Sequence, residues 1–192
     1  MVQLSLSWGL PAIVAISEAA GSRLNYPHEM AFSSVDNEWY RDHEEHVKNK
    51  AYESLVQGNL SFLFPKKDGS FIEKLKANIT SAETKIANFL LNDMEKMKKQ
   101  EVSHYLIRVE DVPRYLNNVI THDQWKRMVM SHSGGIYRMT DQMMLEPLGA
   151  RLTVFMLKEL DRTESLLLVS WSVLRQIAPY ANGAARKRSP AE

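Results

Sequence analysis

The chain has 192 residues, 24 Lys plus Arg against 23 Asp plus Glu, no cysteine and 44% hydrophobic residues, the profile of one ordinary globular domain or two tight halves. A chain of this length buries about 70% of its unfolded surface, so its core needs no covalent or metal staple. Zero Cys excludes a disulfide framework, a Cys-type zinc site, an iron–sulfur cluster and a thiol nucleophile.

The net charge of +1 hides an asymmetry. Residues 1–65 carry 4 bases and 8 acids, residues 66–127 carry 12 and 9, and residues 128–192 carry 8 and 6. An acidic first third followed by a basic remainder lets copies attract one another head to tail, or presents the basic part to a polyanion.

In chain order, the apolar opening lacks a basic leader and is interrupted by Pro11 and Glu18, so it reads as part of the domain and not as a signal peptide. A helix is predicted over residues 12–20 with Gly21 as its stop, then a loop over 22–33. Ser34 is expected to cap a long helix through Gln57, with Trp39, His43, Val47, Tyr52, Leu55 and Val56 as an apolar stripe. Residues 59–64, after Gly58, read as a buried hinge and PKKDG (65–69) as an exposed basic turn. Ser70 with Glu73 and Thr80 with Glu83 form two capping-box patterns, predicting helices over 71–77 and 81–100. Residues 102–109 are ambiguous between strand and helix. Further helices are expected over 112–120, 121–130 (a Thr121/Gln124 capping box), 136–145, 150–160 and 162–177, the last ended by Pro179.

The architecture expected is therefore all-α, a compact multi-helix domain in two helical halves. Residues 1–65 form the acidic half, residues 66–180 the half with the basic cluster and Met-rich helices, and residues 181–192 a disordered basic tail. No later apolar run approaches the roughly 20 residues a membrane-spanning helix needs, so membrane contact is expected to be peripheral.

The motifs with a built-in catalytic mechanism, HExxH, GxSxG, GxGxxG and GxxxxGK[ST], are absent, and no enzyme, cofactor or metal is expected. His43-Glu44-Glu45-His46 is a face of alternating imidazole and carboxylate read as solvated, and Ser131-His132-Ser133-Gly134-Gly135 as a helix stop. Lys66, Lys67, Lys74 and Lys76 could join Lys96, Lys98 and Lys99 if the two helices carrying them fold side by side. Such a cluster neutralises phosphates or anionic headgroups at about 1 kcal/mol per lysine on lipid. Arg186, Lys187 and Arg188 make a second basic patch with the composition of a nuclear-import signal. Six methionines between 128 and 156 fill a core or offer an adaptable groove.

Gly58-Asn59-Leu60-Ser61-Phe62-Leu63-Phe64 resembles the Gly-x-Leu-x-Phe-x-Phe stretch of orthomyxovirus matrix proteins. Glu38-Trp39 is similar to that family's Glu-Trp, Lys96-Met97-Lys98-Lys99 before Glu101-Val102 to its basic Lys-Leu-Lys-Arg-Glu-Ile helix, and Ser131 to Gly135 to its Ser-Tyr-Ser-Ala-Gly turn. The resemblance covers roughly residues 35–160 and fits a divergent, isavirus-like member. The family's Cys/His motif has no counterpart, and a longer stretch separates the basic helix from the turn.

The resemblance implies a helical protein that lines the inner face of a viral envelope, self-associates, and bridges anionic lipid to ribonucleoprotein. The implied partners include envelope glycoprotein tails and nuclear export factors, and the implied locations are virion, host cytoplasm, plasma membrane and nucleus. Lys66, Lys67, Lys96, Lys98 and Lys99 would act as point charges on lipid or RNA phosphate. The acidic residues Glu38, Asp42, Glu44, Glu45 and Glu53 would face a neighbour in the layer. The alternatives are a helical accessory protein binding a host helix through its methionines and a protein that coats RNA.

Overall fold

In the computed structural model, which describes residues 13–18, 30–34, 37–97, 104–135 and 137–186, the first regular element is a strand where a helix was expected. β1 (Val14–Glu18) pairs antiparallel with β2 (Met30–Ser34), Ile16 opposite Phe32. Val14 and Ile16 turn inward with the period of two that a helix reading of this short segment conceals. β2 then runs parallel to β4 (Gln142–Leu145), which pairs antiparallel with β3 (Tyr105–Arg108). The sheet order is β1-β2-β4-β3, so the fold is mostly helical with one small mixed sheet. The helix predicted over 136–145 is thereby corrected. Met143 and Leu145 alternate with Gln142 and Met144, and only the first pair is fully buried.

The expected long helix over 34–57 is three pieces: α1 (Asn37–Arg41), α2 (His43–Lys48) and α3 (Lys50–Leu63). Asn49, extended at φ −93° and ψ 123°, breaks the run and caps α3 by accepting from the Ala51 amide. Ser34 caps nothing. Its backbone N–H and hydroxyl donate to Glu146 Oε2 at 2.5 and 2.6 Å, tying β2 to the start of α7. The two helices expected over 71–100 are one, α4 (Gly69–Met97), whose 29 residues span about 42 Å at 1.5 Å per residue. Thr80 and Glu83 therefore lie inside a helix, and the true cap is Asp68, which accepts from the Phe71 amide at 2.8 Å.

A 3₁₀ turn (Val109–Asp111) leads into α5 (Val112–Tyr115), and α6 (His122–His132) carries the Thr121/Gln124 capping box as read from the sequence. The turn after α6 needs its glycines: Gly134 and Gly135 have φ of 60° and 80°. Pro147 begins α7 (Pro147–Glu159) where it was expected to end a helix, as suits a residue whose missing N–H is an orphan there. α8 (Arg162–Arg186) continues past Pro179, so residues 181–186 of the expected tail are helical, and the rest of it lies outside the described residues.

Two clusters of buried side chains hold these elements. The larger joins the sheet (Ile16, Phe32, Ile107, Met143, Leu145) to Ile86 and Leu90 of α4, Trp125 of α6, Leu152 and Met156 of α7 and Leu168 of α8. The smaller, Tyr52, Val56, Leu60, Ile72, Ile79 and Trp171, packs α3 and α8 on α4. Among the described residues, each cluster draws on both sides of residue 65.

Candidate functional site

The turn between α3 and α4 gathers four of the molecule's exposed large apolar side chains. Leu60 is buried, but Phe62 is 59% exposed and Leu63 45%, with Phe64 and Phe71 beside them at 36% each. The expected buried hinge is thus buried only at Asn59 and Leu60. Its geometry is firmly tied. The Phe64 N–H closes α3 on the Leu60 carbonyl at 2.9 Å, and the Lys67 N–H returns to the Phe64 carbonyl at 3.0 Å. Asp68 accepts from the Phe71 amide and the Ser70 hydroxyl, and these hydrogen bonds hold its carboxyl below the usual range. Phe64 and Phe71 meet edge to face at 5.6 Å, and the Lys67 ammonium stands 5.3 Å from the Phe71 ring centre. Lys66, Lys67 and Lys74 are exposed. Lys76 is spent on Glu73 at 2.7 Å, which raises its pKa through that hydrogen bond.

Deeper in the same helices lies a different arrangement. Glu83 is fully buried, yet its carboxylate is well supplied. Oε1 accepts from the indole N–H groups of Trp39 at 2.9 Å and Trp171 at 3.1 Å, and Oε2 from the Tyr52 hydroxyl at 2.5 Å. An indole only donates and a carboxylate only accepts, so the set is matched. Burial first, then the charge and hydrogen bond of Glu83, push the Tyr52 phenol well above its ordinary range. The Arg175 guanidinium lies over the Trp39 ring at 4.1 Å. This hub ties α1, α3, α4 and α8 together, and no ligand-sized opening reaches its 0% exposed carboxylate.

The structure separates the lysines that the sequence grouped. Because α4 is one helix, Lys66, Lys67, Lys74 and Lys76 sit at one end and Lys96 at the other, about 40 Å from Lys67 along the axis. Lys98 and Lys99 lie outside the described residues, as do Lys187 and Arg188, while Arg186 ends α8. The acidic set holds together better: Glu38, Asp42, Glu44, Glu45 and Glu53 are all exposed on α1 to α3. Their ion pairs with Arg41 and Lys48 are long, at 3.4 to 4.0 Å, and leave Glu38 and Glu44 89% exposed.

The His43-Glu44-Glu45-His46 run does not converge. His43 is buried against Thr84 at 3.1 Å, His46 stacks on Trp39 at 4.4 Å, and both glutamates face outward. Among the described residues no cluster of three or more His, Asp or Glu is placed to hold a metal, and no helix is long and apolar enough to cross a membrane. Of the methionines, Met143 and Met156 fill the core while Met130 stays 49% exposed.

Sequence reasoning missed two clefts. One, about 590 Å3 and wide open, lies along α6 at Asp123, Lys126, Arg127, Met130 and Ser131. The other, about 410 Å3, lies between α4 and α7 around Phe89 and Phe155. The signal for the second was present in the i, i+4 pairs Lys85/Phe89 and Asn88/Asn92, but Phe89 reads as core until its partner is known. No protein-family model matches the chain, and no curated protein matches it.

Proposed function

We propose that the protein is a non-enzymatic structural protein that attaches to an anionic membrane through the α3–α4 turn, self-associates into a layer, and bridges that membrane to ribonucleoprotein, in the manner of an orthomyxovirus matrix protein. The observation that carries the reading is the exposed group Phe62, Leu63, Phe64 and Phe71 with Lys66, Lys67 and Lys74 around it. Aromatic and aliphatic side chains at a helical turn, ringed by lysines, combine the two terms of interfacial binding, apolar insertion and attraction to anionic headgroups. A protein pocket is a poorer fit to this convex group than a lipid surface, since the lysines would need carboxylates placed around it.

The length of α4 supports the bridging part. A helix of about 42 Å puts Lys66 and Lys67 at one end and Lys96, with Lys98 and Lys99 following it in sequence, toward the other. Two separated basic groups suit two polyanions, lipid at the turn and RNA phosphate at the far end. The exposed acids of α1 to α3 are the surface offered to the basic part of a neighbouring copy. On this reading the protein resides at the inner face of a virion envelope and, before assembly, in host cytoplasm, plasma membrane and nucleus.

Flotation with phosphatidylserine-containing and neutral vesicles at low and high salt, followed by imaging of the vesicles, tests this. Salt-sensitive flotation on the anionic vesicles with a regular coat is expected. Equal flotation of the wild type and a Phe62→Ser/Phe64→Ser variant would remove the turn as the contact, and no flotation at all would remove the membrane. Unchanged assembly after Glu44→Gln, Glu45→Gln and Glu53→Gln would remove the acidic face from the layer.

A further inference from the structure

The sheet ends at β3 (Tyr105–Arg108), which pairs with β4 on one side and, among the described residues, with no strand on the other. Which of its backbone groups are left over follows from one bond just beyond it. The Val109 N–H donates to the Asp141 carbonyl at 2.9 Å, one step on from the Arg108–Gln142 pair, and Arg108 before it is extended at φ −80° and ψ 149°. N–H and C=O groups change sides with every residue of a strand. Tyr105, Ile107 and Val109 therefore point theirs at β4, while Leu106 and Arg108 point theirs outward.

The side chains along this edge are equally open. Leu106 is 57% exposed and Tyr105 47%, while Ile107 is buried. Tyr115 of α5 lies against Tyr105 with ring centres 5.8 Å apart and is itself exposed, which widens the apolar surface. Edge strands are ordinarily blunted by lysine, proline or a bulge. β3 has neither lysine nor proline, its register with β4 is unbroken, and its one charge, Arg108, is met by Glu110 at 3.3 Å. Outward donors and acceptors at every second residue ask for another strand, because a strand returns a partner to each of them at the same spacing.

We infer that this edge is taken by β3 of a second copy, antiparallel about a twofold axis, so that one sheet runs through both molecules. Such an axis, normal to the sheet, requires outward residues to oppose outward residues. With Leu106 on the axis, the two Leu106 residues exchange both N–H···O bonds and pack side chain to side chain, and Arg108 faces the second copy's His104. On the opposite face Tyr105 covers the second copy's Ile107, an aromatic ring against a β-branched side chain. Moving the axis to Ile107 would set Leu106 against arginine and Tyr105 against Val109, where the strand has already given way to the 3₁₀ turn. In the first register β3 is its own complement in hydrogen bonds and in side chains, which favours a second copy over a foreign strand. The inference deepens the self-association arm of the proposed function and rests on that arm, with no dependence on the membrane arm.

The chain has no cysteine, so a single introduced thiol tests the register. Opposed residues that share hydrogen bonds have Cα atoms about 5.5 Å apart, within the span of a disulfide. Under mild oxidation the full chain carrying Leu106→Cys should therefore form a covalent dimer. Arg108→Cys, whose two copies would stand about 14 Å apart along the strands, should not, nor should Leu157→Cys, exposed on α7. In sedimentation the wild type should dimerise, and Leu106→Lys, which sets like charges opposite one another at an exposed position, should weaken the dimer about tenfold or more at an unchanged melting temperature. Crosslinking of Leu106→Cys no faster than of Leu157→Cys, a monomeric wild type, or a Leu106→Lys variant that dimerises like the wild type overturns the inference. Adding Glu44→Gln, Glu45→Gln and Glu53→Gln to Leu106→Cys should leave the crosslink unchanged. Covalent dimers that form no regular coat on vesicles support the strand pairing and remove the layer, so the two failures are read separately.

Discussion

The Glu83 hub and the α3–α4 turn are built from the same materials, aromatic rings with a charged side chain among them, and do opposite things with them. In the hub every donor meets an acceptor: two indoles and a phenol converge on one carboxylate that water does not touch. At the turn the rings face solvent and the charges, Lys66 and Lys67, stand around them with no ion pair among the described residues. The backbone of the turn is nevertheless fixed by the Phe64 and Lys67 amides and by Asp68. A chain that can hide Trp171 and Tyr52 completely has the means to hide Phe62, so a rigid, exposed apolar turn points to a use in binding rather than a failure of packing.

The largest effect belongs to the hub. Glu83→Leu leaves the Trp171 indole N–H buried without an acceptor and the Tyr52 hydroxyl with only Thr80 Oγ1 at 3.5 Å, at about 1–3 kcal/mol for each group that loses its carboxylate. We expect a loss of about 3 kcal/mol or more in urea unfolding. Glu83→Gln keeps one carbonyl oxygen for the indoles, and the phenol can turn to accept from its amide, so it should lose about 1 kcal/mol. Equal losses for the two variants would mean that the hub contributes packing and not matched polarity.

Charge at the turn comes next. Lys66→Glu/Lys67→Glu removes two cations worth about 1 kcal/mol each at an anionic surface, or roughly thirty-fold in partitioning, before any repulsion is counted. Flotation on phosphatidylserine vesicles should fall by at least that factor, and added salt should narrow the gap. The same reversal at Lys96, about 40 Å away on the helix axis, should leave flotation alone and weaken ribonucleoprotein binding. A loss of flotation in the Lys96 variant as large as at the turn would erase the distinction between the two ends of α4.

How much of this was legible before the structure depends on whether the signal is local. The Thr121/Gln124 cap needs only four residues, and it forms as read. The basic turn at 65–69 is likewise a local matter of Pro, Lys, Asp and Gly. Glu83 was misread because Thr80-x-x-Glu83 satisfies the spacing of a cap, while its real partners, Trp39 and Trp171, lie 44 and 88 residues away. Three strands were missed and β3 was left open between strand and helix for a related reason: the strands are four or five residues long, and pairing with distant segments, not propensity, makes them strands. Apolar residues at 62–64 were read as buried because the pattern reports hydrophobicity and says nothing about whether a neighbour arrives to cover it.

A subtler test of the hub is its pH dependence. His43 packs against Tyr52 edge-on at 5.9 Å, and its Nε2 meets Thr84 Oγ1, whose own proton goes to the Thr80 carbonyl. Nε2 therefore carries the hydrogen, and the buried Nδ1 has no partner. Burial lowers the His43 pKa below 6.5, and His46 adds to that, while the charge of Glu83 and the Thr80 backbone oppose it. A depressed folded pKa contributes stability that is present above the unfolded value and is lost as pH falls through the folded one. Unfolding free energy should thus decline from pH 7 toward pH 5, with a slope from this one proton of at most about 1.4 kcal/mol per pH unit. His43→Gln should flatten that part of the profile, and an unchanged profile would assign the acid sensitivity to other groups.

The smallest expected effect on stability is the one that bears most on function. Phe62→Ser/Phe64→Ser takes two large rings from the turn, a change that in a core would cost several kcal/mol. Phe62 is 59% and Phe64 36% exposed, and Phe64 meets Phe71 edge to face at 5.6 Å, so less buried contact is lost than in a core. Urea unfolding should place the variant within about 0.5 kcal/mol of the wild type, the range of surface substitutions, while flotation collapses. A fully stable protein that no longer floats would show that these rings serve the membrane and not the fold. If instead the variant loses stability as Glu83→Leu does, the turn is a poorly covered part of the core, its exposure is no longer an argument, and the contrast between the two regions ends there.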